Sequence, residues 1–151
     1  MLYRAHREPG LRVDTDKRIR DNVLMPRVLI VEDDEIMLNM YVKKFTKEGF
    51  DISTARDGSI GLVRAVNDVP NVIMLDLMMP ESDGFEMLEA LHAHPKLKNI
   101  PVVVLTNISS DADEQRARLL GATDYLIKAE NHPGMVVNRV VELLDKYGNS
   151  E

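Results

Sequence analysis

The 151-residue chain carries 25 Asp and Glu against 19 Lys and Arg, a formal net charge of −6, and 44% of its residues are hydrophobic. This is the composition of one ordinary globular domain with room for a core, neither collagen-like nor disordered. The lack of cysteine excludes disulfides, thiolate nucleophiles and Cys-ligated metal centres, and no apolar run approaches the ~18 residues of a membrane span.

Charge is unevenly placed. Residues 1–25 hold six basic and four acidic groups, a net of +2, so the remaining 126 residues carry −8. The acidic bulk argues against direct nucleic-acid binding, which needs clustered Lys and Arg. The segment 1–25, with Pro9-Gly10 and no broad apolar face, reads as a basic N-terminal arm whose one candidate element is a short helix around Asp14–Val23. It has no continuous apolar stretch and does not read as a secretory signal, so a cytoplasmic location is expected.

From residue 26 the chain alternates in type. Val28–Val31 is a β-branched run that predicts a buried strand, and Ile36, Met40, Val42, Phe45 and Thr46 follow helical spacing toward a C-cap at Gly49. Asp51–Thr54 is a weaker strand and Ser59–Val66 a second helix. Val72–Leu75 and Gly84–Ala93 form the next pair, Val102–Leu105 and Ala112–Leu120 the fourth, and Tyr125–Ile127 with Gly134–Tyr147 the fifth. Ser110 with Asp113, and Asp111 with Glu114, have capping-box spacing at the start of the fourth helix. Five continuous apolar strands alternating with five helices predict an α/β domain over 26–147, a doubly wound parallel sheet covered on both faces. Residues 148–151 are then a short tail, and no output domain is expected.

In such a sheet, ligands bind beyond the carboxyl ends of the strands. There the first strand delivers Glu32-Asp33-Asp34-Glu35, a run that also suits a helix N-terminus, with Asp33 or Asp34 as N-cap. The third delivers Asp76, either a turn Asp at a strand end or, given apolar neighbours on both sides, a carboxylate whose desolvation a cation would compensate. The fourth ends at Thr106 and the fifth at Lys128. Carboxylates converging in one cleft repel one another unless a hard divalent cation intervenes, and Mg²⁺ takes one or two carboxylates plus phosphate oxygens. Such a site, with Asp76 as nucleophile, a hydroxyl and an ammonium, suffices for phosphoryl transfer.

These residues resemble the receiver domain of two-component response regulators. Val28-Leu29-Ile30-Val31-Glu32-Asp33-Asp34 is similar to the family's first strand and acidic pair, and Leu75-Asp76-Leu77-Met78-Met79-Pro80-Glu81-Ser82-Asp83-Gly84 to its phosphoacceptor segment. Thr106 stands thirty residues after Asp76, and Lys128 twenty-two after Thr106, as in the family. The resemblance implies a flavodoxin-like sheet of order 2-1-3-4-5 and Asp76 as phosphoacceptor. It implies Mg²⁺, or Mn²⁺ in its place, bound by Asp33 and Asp76 directly, by Glu32 through water and by the backbone carbonyl of Met78. Thr106 and Lys128 would contact the phosphoryl group, and Tyr125 would be the aromatic switch. The implied partners are a sensor histidine kinase or histidine phosphotransfer protein, an unidentified downstream protein and a second copy of the chain.

The sequence departs from the family in places. Lys128 is followed by Ala129 rather than Pro, which predicts a trans peptide or a rearranged loop, since a non-proline cis bond costs about 3–4 kcal/mol. Asn107 and Met78 flank the site as residues that would modulate access, and together they predict slow self-dephosphorylation. The competing readings are a docking module that works without phosphorylation, and a phosphatase or FMN protein on a similar sheet. Met78 stands where an aspartyl phosphatase wants its second Asp, and four carboxylates replace the phosphate loop of an FMN site.

Overall fold

The computed structural model describes residues 25–80 and 82–148. The arm lies almost wholly outside this range, as does the helix expected over Asp14–Val23. The elements in order are β1 (Arg27–Val31), α1 (Glu35–Lys47), β2 (Asp51–Ala55), α2 (Gly58–Asp68), β3 (Val72–Leu75), β4 (Met78–Met79), β5 (Ser82–Asp83), α3 (Gly84–Ala93), β6 (Val102–Thr106), α4 (Asp111–Leu119), β7 (Asp124–Ile127) and α5 (Pro133–Gly148), with a 3₁₀ turn over Lys128–Glu130.

Five parallel strands form one sheet in the order β2-β1-β3-β6-β7. This is the expected 2-1-3-4-5 arrangement once β4 and β5, a two-residue antiparallel ribbon unforeseen in the sequence, are set aside. Alternate strand residues serve opposite faces, which is why the runs are apolar throughout. Leu29, Val31, Ile73, Leu75, Val102 and Val104 pack under α2, α3 and α4. Val28, Ile30, Val72, Met74, Val103 and Leu105 pack under α1 and α5.

Helix positions follow local chemistry. Asp34 caps α1 by accepting the Met37 N–H at 3.1 Å, which resolves the acidic run in favour of Asp34 as the capping residue. Gly49, at φ 93°, ends the helix with Phe50 N–H returning to the Phe45 carbonyl at 3.0 Å. The buried face of α1 differs from the expected one: Ile36 is 75% exposed and Met40 also reaches solvent, while Leu38, Tyr41 and Phe45 face the sheet. The i, i+3, i+7 series of larger side chains fills the space over β1 and β3. At α4 Ser110 Oγ accepts the Asp113 N–H at 3.0 Å, which forms the N-cap half of the expected box, and the same hydroxyl donates to Asp113 Oδ2 at 2.8 Å. The Asp111–Glu114 box does not form, because Glu114 turns to Arg118 one helical turn on, at 3.1 Å.

Candidate phosphoacceptor site

The sheet register assembles the site. Val31 of β1 is paired with Leu75 of β3, so the next residues, Glu32 and Asp76, leave the sheet side by side. Leu75 in turn pairs with Val104, and Thr106 with Ile127, which brings the end of β6 and Lys128 beyond β7 to the same edge. Oxygens of Glu32, Asp33 and Asp76 lie within 4.8 Å of one another. The Lys128 ammonium sits between two of them, 2.6 Å from Glu32 Oε1 and 2.8 Å from Asp76 Oδ2. The remaining contacts orient the carboxylates: Met78 N–H donates to Asp76 Oδ1 at 3.0 Å, and Asp34 N–H to Glu32 Oε2 at 3.0 Å.

Glu32, Asp76 and Thr106 are buried, and the Lys128 side chain is 11% exposed, so these charges meet in a low-dielectric setting. Burial by itself would lower the Lys128 ammonium, but its hydrogen bonds to Asp76 and Glu32 outweigh that and raise it. Burial pushes the Glu32 carboxyl up, with Lys128 opposing. Three carboxylates against one ammonium leave two negative charges facing a cleft of hard oxygen donors, a set that suits Mg²⁺ or Mn²⁺.

The sequence residues are thus placed as follows. Glu32, Asp33, Asp76 and Lys128 come together directly. Met78 is tied to Asp76 by its backbone, while its side chain is 61% exposed at the rim. Thr106 is fully buried at the end of β6, its Oγ1 accepting a long bond from Ile108 N–H at 3.4 Å. Tyr125 is turned inward, its hydroxyl donating to the Ile108 carbonyl at 2.7 Å, so both groups hold the β6–α4 loop at Ile108. Asn107 is exposed, and its Oδ1 accepts from Ala129 N–H at 3.1 Å. The Lys128–Ala129 peptide is trans.

One site neighbour escaped the sequence reading. Tyr41 of α1 is 1% exposed, and its hydroxyl has no hydrogen-bond partner among the described residues. Helix side chains lean toward the N-terminus, here the end of α1 that follows Glu32 and Asp33. Burial pushes its phenol to about 12, with Lys128 opposing and Glu32 and Asp76 adding. Tyr41→Phe should therefore raise stability at neutral pH by about 1 kcal/mol, the cost of an unpaired buried hydroxyl. Because the folded value lies above the ordinary 10, the protonated phenol's contribution is complete below pH 10 and is lost as pH rises through about 12. Urea unfolding at pH 7 and at pH 11 checks both points: the variant's advantage grows at the higher pH.

Comparison with known proteins agrees with this geometry. The sequence profile of the response regulator receiver domain matches residues 28–139. The chain belongs to that family. The receiver is 38% identical over 102 residues to the response regulator PleD of Caulobacter vibrioides, covering 68% of this chain and 22% of that protein. It is 38% identical over 104 residues to the DNA-binding dual master transcriptional regulator RpaA of a Synechocystis species, covering 69% and 43%. The chain thus spans less than half the length of either relative. Among solved structures, a CheY-like receiver domain from Methanospirillum hungatei superposes with a TM-score of 0.77 at 26% identity, covering 84% of this chain and 99% of that one. Chemotaxis protein CheY4 of Vibrio cholerae gives 0.73 at 29% identity, covering 78% and 98%. Receiver domains are signalling modules that take phosphate from histidine kinases. Among the described residues no helix of this receiver is long and apolar enough to cross a membrane.

Proposed function

We propose that this receiver accepts a phosphoryl group on Asp76 from the phosphohistidine of a sensor kinase or phosphotransfer protein and relays the event through the surface formed by α4, β7 and α5. The observation that carries the reading is the convergence of Glu32, Asp33, Asp76 and Lys128 at one edge of the sheet. Asp33 and Asp76, with the Met78 carbonyl and Glu32 through water, would hold Mg²⁺ or Mn²⁺, which supplies charge neutralisation at the phosphoryl oxygens.

An Asp76 carboxylate oxygen attacks phosphorus as the P–N bond of the donor breaks. The imidazole leaves with the bonding pair and takes a proton from water, and the product is an acyl phosphate. Met78 N–H holds the other carboxylate oxygen during the attack. Lys128, freed from Glu32, follows the new negative charge, and Thr106 donates its hydroxyl to a phosphoryl oxygen. Phosphoryl transfer depends mainly on such positioning and charge neutralisation. Tyr125 reports the change because its hydroxyl shares the Ile108 loop with Thr106. Met78 and Asn107, at the rim, slow the approach of water and lengthen the lifetime of the adduct. The intact acidic pocket speaks against a docking module that ignores phosphorylation. We place the receiver in the cytoplasm, beside its kinase.

Incubation with acetyl phosphate and Mg²⁺, followed by intact-mass measurement, should give one phosphoryl adduct on the wild type and none on Asp76→Asn. An adduct that persists in Asp76→Asn, or none on the wild type, overturns the proposal.

A further inference from the structure

The 3₁₀ turn that carries Lys128 starts without a side-chain cap of its own: Ile127 occupies the N-cap position. The first N–H groups of any helical turn lack partners within it. Here the Ala129 N–H is taken up from outside the turn, by Asn107 Oδ1 at 3.1 Å. At the other end of the turn, Asn131 N–H returns to the Lys128 carbonyl at 3.3 Å, and Asn131 Nδ2 reaches the Ile127 carbonyl at 2.9 Å. Strand pairing between β6 and β7 stops at Thr106 and Ile127. The Asn107–Ala129 bond therefore continues the join between the two strands beyond the last backbone pair. It links the residue after Thr106 to the residue after Lys128.

We infer that Asn107 is a positioning residue for Lys128: its carboxamide caps the Lys128–Glu130 turn and so fixes where the ammonium sits between Asp76 and Glu32. The inference rests on the proposed phosphoryl chemistry at Asp76 and assigns Asn107 a role through Lys128, in addition to its place at the rim. The bond needs an acceptor at Asn107, so the oxygen faces Ala129.

Two measurements test this. Amide hydrogen exchange, read without any phosphodonor, should show the Ala129 N–H exchanging about fivefold faster in Asn107→Ala, the scale of one net hydrogen bond, and protected again in Asn107→Asp, which keeps an acceptor. Unchanged exchange in Asn107→Ala overturns the cap. The rate of Asp76 phosphorylation by acetyl phosphate should fall about fivefold in Asn107→Ala, and the same substitution should have no further effect in a Lys128→Gln background. An equal effect in both backgrounds overturns positioning and leaves only access at the rim. If the wild type forms no Asp76 adduct, the phosphoacceptor reading fails and this proposal with it. If the adduct forms equally fast on wild type and Asn107→Ala, this proposal alone fails.

Discussion

Lys128→Met should lower folding stability at neutral pH by about 3 kcal/mol in a chelating buffer, the scale seen when one partner leaves a buried ion pair. The ammonium is the one positive group within 2.8 Å of both Asp76 and Glu32 among the described contacts, and the side chains of those acids are 6% and 3% exposed. Without it, two buried carboxylates and their neighbour Asp33 face one another uncompensated. Two consequences separate this cause from a simple loss of packing. First, Mg²⁺ should raise the melting temperature of the variant more than that of the wild type, because the cation replaces a missing charge. Second, acid should help. Burial already holds the Glu32 carboxyl high and Lys128 opposes that, so in the variant it rises further. A folded value above the unfolded one means that stability is complete below the ordinary carboxylate range and is lost as pH rises through the folded value. Melting temperatures from pH 4.5 to 8, with and without Mg²⁺, check both; a uniform deficit at every pH and Mg²⁺ concentration would refute the charge argument.

Gly84→Ala should be at least as damaging, by about 3 kcal/mol or more, and should cut Asp76 phosphorylation more than about tenfold. A Cβ at Gly84 would lie 2.5 Å from Leu77 Cα and 2.8 Å from the Asp76 carbonyl oxygen. Both are backbone atoms of the Asp76 loop, so no rotamer change relieves the clash; either α3 backs away from the sheet or that loop shifts. The tightness follows from the ribbon of β4 and β5, which folds the chain back so that Gly84 N–H meets the Leu77 carbonyl at 3.4 Å while Asp83 caps α3 through Phe85 N–H at 2.9 Å. Gly134→Ala is the control: its Cβ would meet only the His132 imidazole, at 3.2 Å, an exposed side chain held by one long bond from Met135 N–H at 3.3 Å and able to give by the few tenths of an ångström required. Urea unfolding of both variants, with phosphorylation rates, should show a large loss for Gly84 and one within about 0.5 kcal/mol for Gly134.

Much of this was readable in the residues. The sheet was legible because Val28–Val31, Val72–Leu75 and Val102–Leu105 are apolar on both faces and alternate with helical segments, the pattern of a doubly covered parallel sheet. The candidate site was legible because Glu32, Asp76, Thr106 and Lys128 each directly follow or end a strand, so placing the strands placed them. What escaped depended on packing across elements. Ile36 and Met40 share a face by spacing, yet Leu38 and Tyr41 are the residues β1 and β3 accept. The β4–β5 ribbon is too short for any periodicity to show. The tie between Asn107 and Ala129 joins residues 22 positions apart, and its one sequence trace is an N–H at 129 in need of an acceptor.

At the opposite end of β7 from Lys128, the buried Asp124 gathers both neighbouring helices. It accepts from Arg139 of α5 and from Tyr125 N–H, and lies 3.7 Å from Arg118 of α4. Asp124 directly precedes Tyr125, so the inward-turning ring sits one residue above a fulcrum fastened to α4 and α5 alike. Under the proposed switching, a displacement at Thr106 and Ile108 would act on two helices joined at that one carboxylate. A partner on that surface would then meet α4 and α5 at positions set by one buried acid.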